Sequence, residues 1–264
     1  REISSAKELG LDYIRYDVRS EMVESQEGLT ALRNVSELAH AEGIDLMVGL
    51  YGRASWPVRA PESFEDYQAQ ITSDALAAAP FADYVLPYYE PNGQARIVLG
   101  RSETPDEWAE AIGLLTSRVR NESSVKILIE IAMASEALAL VDAIQRTGVD
   151  AIGFDIYPGN WDDMDAFRDC VAAVDRSRVP EVWLSEFGME CSMFGEEAQA
   201  NFIKMAVAEA SSLNLTGCCL WALQDDTGLG HPQVPLSHFG IVYADWKHKS
   251  GYAAYAEAIV AVLG

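Results

Sequence analysis

Two glutamates stand where an apolar chain makes a carboxylate expensive. Glu90 closes the run Tyr84-Val85-Leu86-Pro87-Tyr88-Tyr89 and is followed by Pro91-Asn92-Gly93, while Glu186 lies in Val182-Trp183-Leu184-Ser185-Glu186-Phe187-Gly188. A carboxylate ending a buried strand is costly unless it is paired or used. Two of them facing one pocket therefore point to a working pair. The plainer alternative makes each a salt-bridge residue at a strand end. His231 and His238, sharing a loop with Asp225 and Asp226, raise a metal site, but the spacing matches no zinc signature such as HExxH. Cys170, Cys191, Cys218 and Cys219 are too few and too irregularly spaced for a disulfide framework, include no CxxC, and read as structural.

Seven short apolar runs rich in β-branched and aromatic residues must supply the strands: Leu11 to Val18, Ile44 to Tyr51, Tyr84 to Tyr89, Val125 to Met133, Val149 to Tyr157, Val182 to Phe187 and Cys218 to Leu223. Between and after them, helical apolar spacing marks Gly28 to Glu42, Phe64 to Ala78, Pro105 to Val119, Ser135 to Thr147, Glu196 to Leu213 and Gly251 to Leu263. Thr104-Pro105, with Asp106 and Glu107 behind it, reads as an N-cap and first turn, and Gly43 and Gly148 as helix ends. Strand then helix, repeated, implies a parallel sheet. The chain, at 264 residues, matches one α/β barrel domain, for which ~250 residues is typical. The expected fold is therefore α/β, a (β/α)8 TIM barrel in a single domain over 1–264. It is short of one strand. Residues 2 to 9 read as the end of a helix leading into the first visible strand, so the missing strand is expected to precede Arg1, unless a segment not read as a strand supplies the closure. An open doubly wound sheet is the alternative, but no GxGxxG or GxxxxGK turn supports it.

In such a barrel the active site lies at the C-terminal ends of the strands, where both glutamates fall. There the chain resembles the large clan of retaining (β/α)8-barrel glycosidases whose acid/base follows strand four and whose nucleophile ends strand seven. Glu90-Pro91-Asn92 is similar to the end of the clan's Asn-Glu-Pro-Asn motif, and Ser185-Glu186-Phe187-Gly188 to its Thr/Ser-Glu-Phe-Gly motif. With one strand missing at the N-terminus, the glutamates fall on strands four and seven. Tyr13-Ile14-Arg15-Tyr16-Asp17 resembles the second strand with its arginine, Gly43 to Leu50 the third, Val149 to Tyr157 the sixth, and Leu220-Trp221-Ala222-Leu223 the eighth with its sugar-stacking tryptophan. Phe239-Gly240-Ile241-Val242, followed by Lys249, Tyr252 and Tyr255, resembles the common ending before the last helix.

The resemblance implies a retaining glycoside hydrolase. Two carboxylates about 5 Å apart act through a covalent glycosyl-enzyme intermediate. Glu186 attacks; Glu90 protonates the leaving group and then deprotonates water, which requires a pKa raised by burial and by the neighbouring charge. Arg15 is expected to hydrogen-bond Glu186 and hold it ionised, Tyr157 to donate to it, and Trp221 to face a sugar ring. Asn92 follows the acid/base in its motif. Trp56 and Trp161, on loops after strands, suit sugar subsites or hydrophobic edges. Tyr89 departs from the clan, standing where an Asn usually holds the sugar 2-hydroxyl, and this keeps an inactive carbohydrate-binding barrel as the alternative. Glu130 and Asp155 lie inside strands and line the pocket floor or serve buried hydrogen-bond networks. The chemistry needs no metal or organic cofactor. A metal-dependent hydrolase or lyase using the His/Asp loop is a further rival.

Charge narrows the partners. A net charge of -22 disfavours nucleic acid or an anionic membrane surface. No apolar run of about 18 residues exists to span a membrane. The chain opens on Arg1 without an h-region, and since a signal peptide can be removed, the compartment stays open.

Overall fold

Each apolar run contains a strand. The computed structural model describes residues 1–51, 63–93, 103–134, 136–157, 164–225 and 238–263. Within these, β1 (Tyr13–Val18), β2 (Asp45–Leu50), β3 (Tyr84–Leu86), β4 (Lys126–Ala132), β5 (Ala151–Ile156), β6 (Glu181–Phe187) and β7 (Gly217–Leu220) form one sheet in chain order. Every neighbouring pair is parallel. Parallel neighbours need crossovers, and helices occur in every connection that the described residues cover. In chain order the helices are α1 (Glu2–Leu9), α2 (Ser20–Val23), α3 (Gln26–Ala41), α4 (Phe64–Ala78), α5 (Pro105–Glu122), α6 (Ala137–Ile144), α7 (Met164–Ala173), α8 (Cys191–Phe194), α9 (Glu196–Ser212) and α10 (Ser250–Leu263).

The sheet curls into a nearly closed barrel. Tyr13 on β1 and Trp183 on β6 meet edge to face at 5.1 Å, and Cys219 Sγ on β7 lies 3.8 Å from Met47 Sδ on β2, contacts that only a curled sheet allows. β1 and β7 are its two edges, and no strand among the described residues stands between them. The expected (β/α)8 barrel lacking one strand is thus the fold observed, with the gap between β7 and β1.

Period-two alternation divides the strands into an outer and an inner face. Outward residues such as Val48, Val85, Ile127, Ile129, Ile152, Phe154 and Leu184 join the helices in the main core. Inward residues change character along the barrel axis. Near the N-terminal ends, Met47, Tyr84, Leu86, Leu128, Ala151 and Trp183 form an apolar plug, with Tyr13 and Cys219 against it. At its base the Tyr84 hydroxyl donates to Glu181 at 2.6 Å, and Lys126 Nζ reaches the same carboxylate at 2.6 Å. Toward the C-terminal ends the inward positions become Arg15, Asp17, Glu130, Asp155, Ser185 and Glu186. Small residues make room for them. A Cβ on Gly49 would collide with the Asp17 carboxylate, and one on Gly153 with the Ser185 side chain.

Several boundaries differ from the sequence reading. β3 stops at Leu86 rather than Tyr89, because Pro87 has no N–H for the ladder and Tyr88 and Glu90 take positive φ values of 57° and 42°. Glu90 therefore sits on a loop, not at a strand end. The helices α2, α7 and α8 were not anticipated. Cys218 and Cys219, adjacent on β7, point to opposite faces, the first toward the main core and the second toward the plug. Thr104 and Glu107 form a reciprocal capping box at the start of α5, and Gly43 and Gly148 end helices with positive φ.

Candidate active site

The polar ring of the barrel mouth is assembled one strand at a time. β1 contributes Arg15 and Asp17, two apart and so on the same face. Arg15 Nε donates to Asp17 Oδ1 at 2.7 Å, its Nη1 donates to Glu130 on β4, and the same Nη1 stands 2.6 Å from Glu186 Oε1 on β6 as an ion pair rather than a well-angled hydrogen bond. One buried guanidinium thus ties three strands together. Burial alone would disfavour its charge, but Asp17, Glu130 and Glu186 outweigh that and hold it well above the usual arginine range.

Glu186 owes its direction to an irregularity. On β6, Trp183 points inward and Leu184 outward, so strict alternation would aim Ser185 inward and Glu186 outward. The β5–β6 register instead skips one residue, pairing Phe154 with Leu184 and Asp155 with Glu186. This bulge turns Ser185 and Glu186 both toward the interior, and re-aiming a side chain is a common consequence of bulges beside active sites. Ser185 Oγ donates to Asp155 Oδ1 at 2.7 Å, and the Tyr157 hydroxyl, just beyond β5, donates to Glu186 Oε2. Glu186 is 1 % exposed. Burial pushes its pKa above the ordinary carboxylate value, and Arg15 and the Tyr157 hydrogen bond pull it back.

Glu90 reaches the mouth from the loop after β3, and three contacts shape that loop. Tyr88 turns into the core, edge-on to Trp108 at 5.5 Å. Gly93 N–H donates to the Glu90 carbonyl at 2.8 Å. Asn92 spends both ends of its amide on the end of β4, donating from Nδ2 to the Ala132 carbonyl at 2.8 Å and accepting the Ala132 N–H at 3.0 Å. Asn92 thereby ties the loop that carries Glu90 to the end of β4. Glu90 is 8 % exposed, and its charge pushes up the pKa values of Tyr89, Glu130, Asp155 and Tyr157 after burial has raised them, so it belongs to the same cluster.

Aromatic rings line this ring of charge. The Arg15 guanidinium carbon lies 5.6 Å from the Tyr89 ring centre and 5.7 Å from that of Trp221, which follows β7. The Tyr89 ring lies 4.2 Å from that of Tyr51, tilted by 37°, and the Tyr51 hydroxyl donates to Asp17 Oδ2 at 3.3 Å. Arg15, Tyr89, Tyr157, Glu186 and Trp221 are thus gathered at one place, with Glu90 and Asn92 on the adjoining loop. Trp56, Trp161, His231 and Asp226 lie outside the described residues. Asp17, Tyr51 and Ser185 were missed as site residues, although Asp17 follows Arg15 at the inward period of two and Tyr51 continues the same period of β2.

Two clusters of described residues could hold a cation. His40, Asp45 and Asp83 lie around the opposite, N-terminal rim, where Asp83 Oδ2 already accepts from Leu46 N–H and meets His40 Nε2, both at 2.8 Å. The other is Glu130, Asp155 and Glu186, where Arg15 already supplies positive charge. Asp225 has His238 Nδ1 3.5 Å from its Oδ2, as their shared loop suggests, while its Oδ1 accepts from buried Lys249 at 2.6 Å.

No known family pattern matches the chain, and no curated protein matches it in sequence. Solved structures do. The chain is similar to an exo-β-1,4-mannosidase from Opitutaceae bacterium strain TAV5, with a TM-score of 0.74 and 18 % identity over 100 % of this chain and 56 % of that one. A family 39 glycoside hydrolase from Bacteroides cellulosilyticus WH2 gives a TM-score of 0.69 and 14 % identity over 97 % of this chain and 59 % of that one. A family 1 β-glucosidase from Thermotoga maritima gives 0.74 and 14 % over 99 % and 85 %. The chain thus spans under three-fifths of the first two. Likeness at such identity establishes the barrel fold that these glycosidases share.

Proposed function

We propose that this protein is a retaining glycoside hydrolase acting on a carbohydrate, with Glu186 as nucleophile and Glu90 as general acid/base. The observation that carries this reading is the setting of Glu186. It is a buried carboxylate at the C-terminal mouth of the barrel, aimed inward by a bulge and held by the Arg15 ion pair and the Tyr157 hydroxyl. Such contacts favour an anion that must stay ionised and oriented to attack a sugar carbon. That proteins of the same fold are glycosidases supports the same choice.

In the proposed reaction Glu90 gives a proton to the glycosidic oxygen while Glu186 Oε attacks the anomeric carbon, and the leaving group departs as an alcohol. Glu90, now a carboxylate, takes a proton from water, which displaces Glu186 and restores both groups. Arg15 stabilises Glu186 as an anion on departure, and Trp221 offers a flat face to the sugar. Turnover of a panel of aryl glycosides, with Glu186→Ala as control, tests the reading. Hydrolysis that vanishes in the variant supports it; binding of sugars without hydrolysis by the unmodified protein sinks it in favour of a carbohydrate-binding barrel.

A further inference from the structure

Behind Glu186 the described residues bury more carboxylates than cations. Glu130 on β4, Asp155 on β5 and Glu186 on β6 are each 1 % exposed, and one carboxyl oxygen from each lies within 4.8 Å of the others. Among the described residues Arg15 is the cation that reaches them. It contacts Glu130 and Glu186 and gives its Nε to Asp17. Asp155 has no such contact: its Oδ1 accepts from Ser185, and its Oδ2 has no partner among the described residues. Glu130 Oε2 is a second buried acceptor without a donor. Among the described residues the other titratable groups facing the cluster are Asp17 from β1, Tyr51 beyond β2, Tyr89 and Glu90 from the loop after β3, Tyr157 beyond β5 and Cys219 from β7. None of these adds a positive charge.

A single proton resolves both orphans. We propose that Asp155 holds a proton at neutral pH and turns it toward Glu130, leaving Glu130 and Glu186 as the anions that divide Arg15. Glu130 is then a positioning residue for Glu186, since it shares the same Nη1. Burial acts in the same direction on Asp155, holding its carboxyl well above the usual carboxylate range; burial raises Glu130 too, and there the Arg15 contact opposes it. Only the role given to Glu186 rests on the glycosidase reading; the protonation stands on the cluster.

The test is 13C NMR of protein labelled at the aspartate side-chain carboxyl, followed from about pH 4 to about pH 9. At neutral pH one aspartate signal is expected at the position of a protonated acid. It should be absent from Asp155→Asn and should titrate at lower pH in Glu130→Gln, which removes the neighbouring anion. Aspartates all ionised at neutral pH, or a protonated signal that survives Asp155→Asn, overturn the proposal. Glu130→Gln also releases Arg15 to Glu186, so the acidic limb of kcat/KM should move to lower pH. A fall in kcat with the limb unmoved overturns the positioning role. If no glycoside is turned over, the functional reading fails, while the carboxyl titration still decides the protonation.

Discussion

At the residue scale the two glutamates are held differently, in keeping with the different roles proposed for them. Glu186 is fixed by an arginine and a tyrosine, whereas Glu90 rides on a tethered loop. Glu90→Ala should cripple turnover of substrates with poor leaving groups, which need a proton, far more than activated aryl glycosides, which do not. Added azide should then restore turnover on activated substrates by replacing the water that Glu90 no longer deprotonates. An equal loss on every substrate, with no azide effect, removes Glu90 from the acid/base role. Tyr157 can be tested through pH. As the proposed nucleophile Glu186 must be ionised to attack, so its raised pKa should place the acidic limb of kcat/KM above the usual carboxylate range. Because the Tyr157 hydrogen bond lowers that pKa, Tyr157→Phe should move the limb to higher pH. A hydrogen bond to a charged group is worth about 1.5–3 kcal/mol, so kcat/KM at low pH should fall by roughly ten- to a hundredfold. An unmoved limb would show that Tyr157 only packs.

At the scale of elements, much of the fold was legible because local signals agreed with tertiary needs. Phe64–Ala78 is the helix its spacing predicts, and Thr104 caps α5 as its sequence suggests. The end of β3 was not legible. Tyr88 and Tyr89 prolong an apolar run, yet Tyr88 is apolar because it enters the helix layer through a left-handed turn. Nor was the β6 bulge, since an alternation count cannot show that two successive residues, Ser185 and Glu186, both face inward. Both misses lie at the site, where regular structure yields to aiming side chains. Asn92 allows the loop to be tested. Asn92→Ala removes both bonds to Ala132 and should cost about 1–3 kcal/mol of stability. It should also lower turnover of poor-leaving-group substrates more than activated ones, as Glu90 loses its place. Equal effects on the two classes would mean that Asn92 does not position Glu90.

For the whole molecule, the barrel interior gathers buried charge at its C-terminal end above an apolar plug. Inward residues run from the Tyr13, Tyr84 and Trp183 plug to the Arg15 and carboxylate ring, so that a buried end supports a polar mouth. The net charge of -22 adds self-repulsion that salt should relieve. Raising NaCl from about 10 mM to about 150 mM shortens the screening length from roughly 30 to 8 Å and should raise the thermal midpoint; a constant or falling midpoint would show that repulsion does not limit stability. The central claim, that Glu186 is the nucleophile of a retaining glycosidase, is met most directly by trapping the covalent intermediate. The protein would be incubated with an activated glycoside whose intermediate turns over slowly, then digested and mapped by mass spectrometry. A single glycosyl group on Glu186, lost with time as product forms, is the predicted result. Hydrolysis that proceeds with no adduct, or with the sugar on another residue, would contradict it.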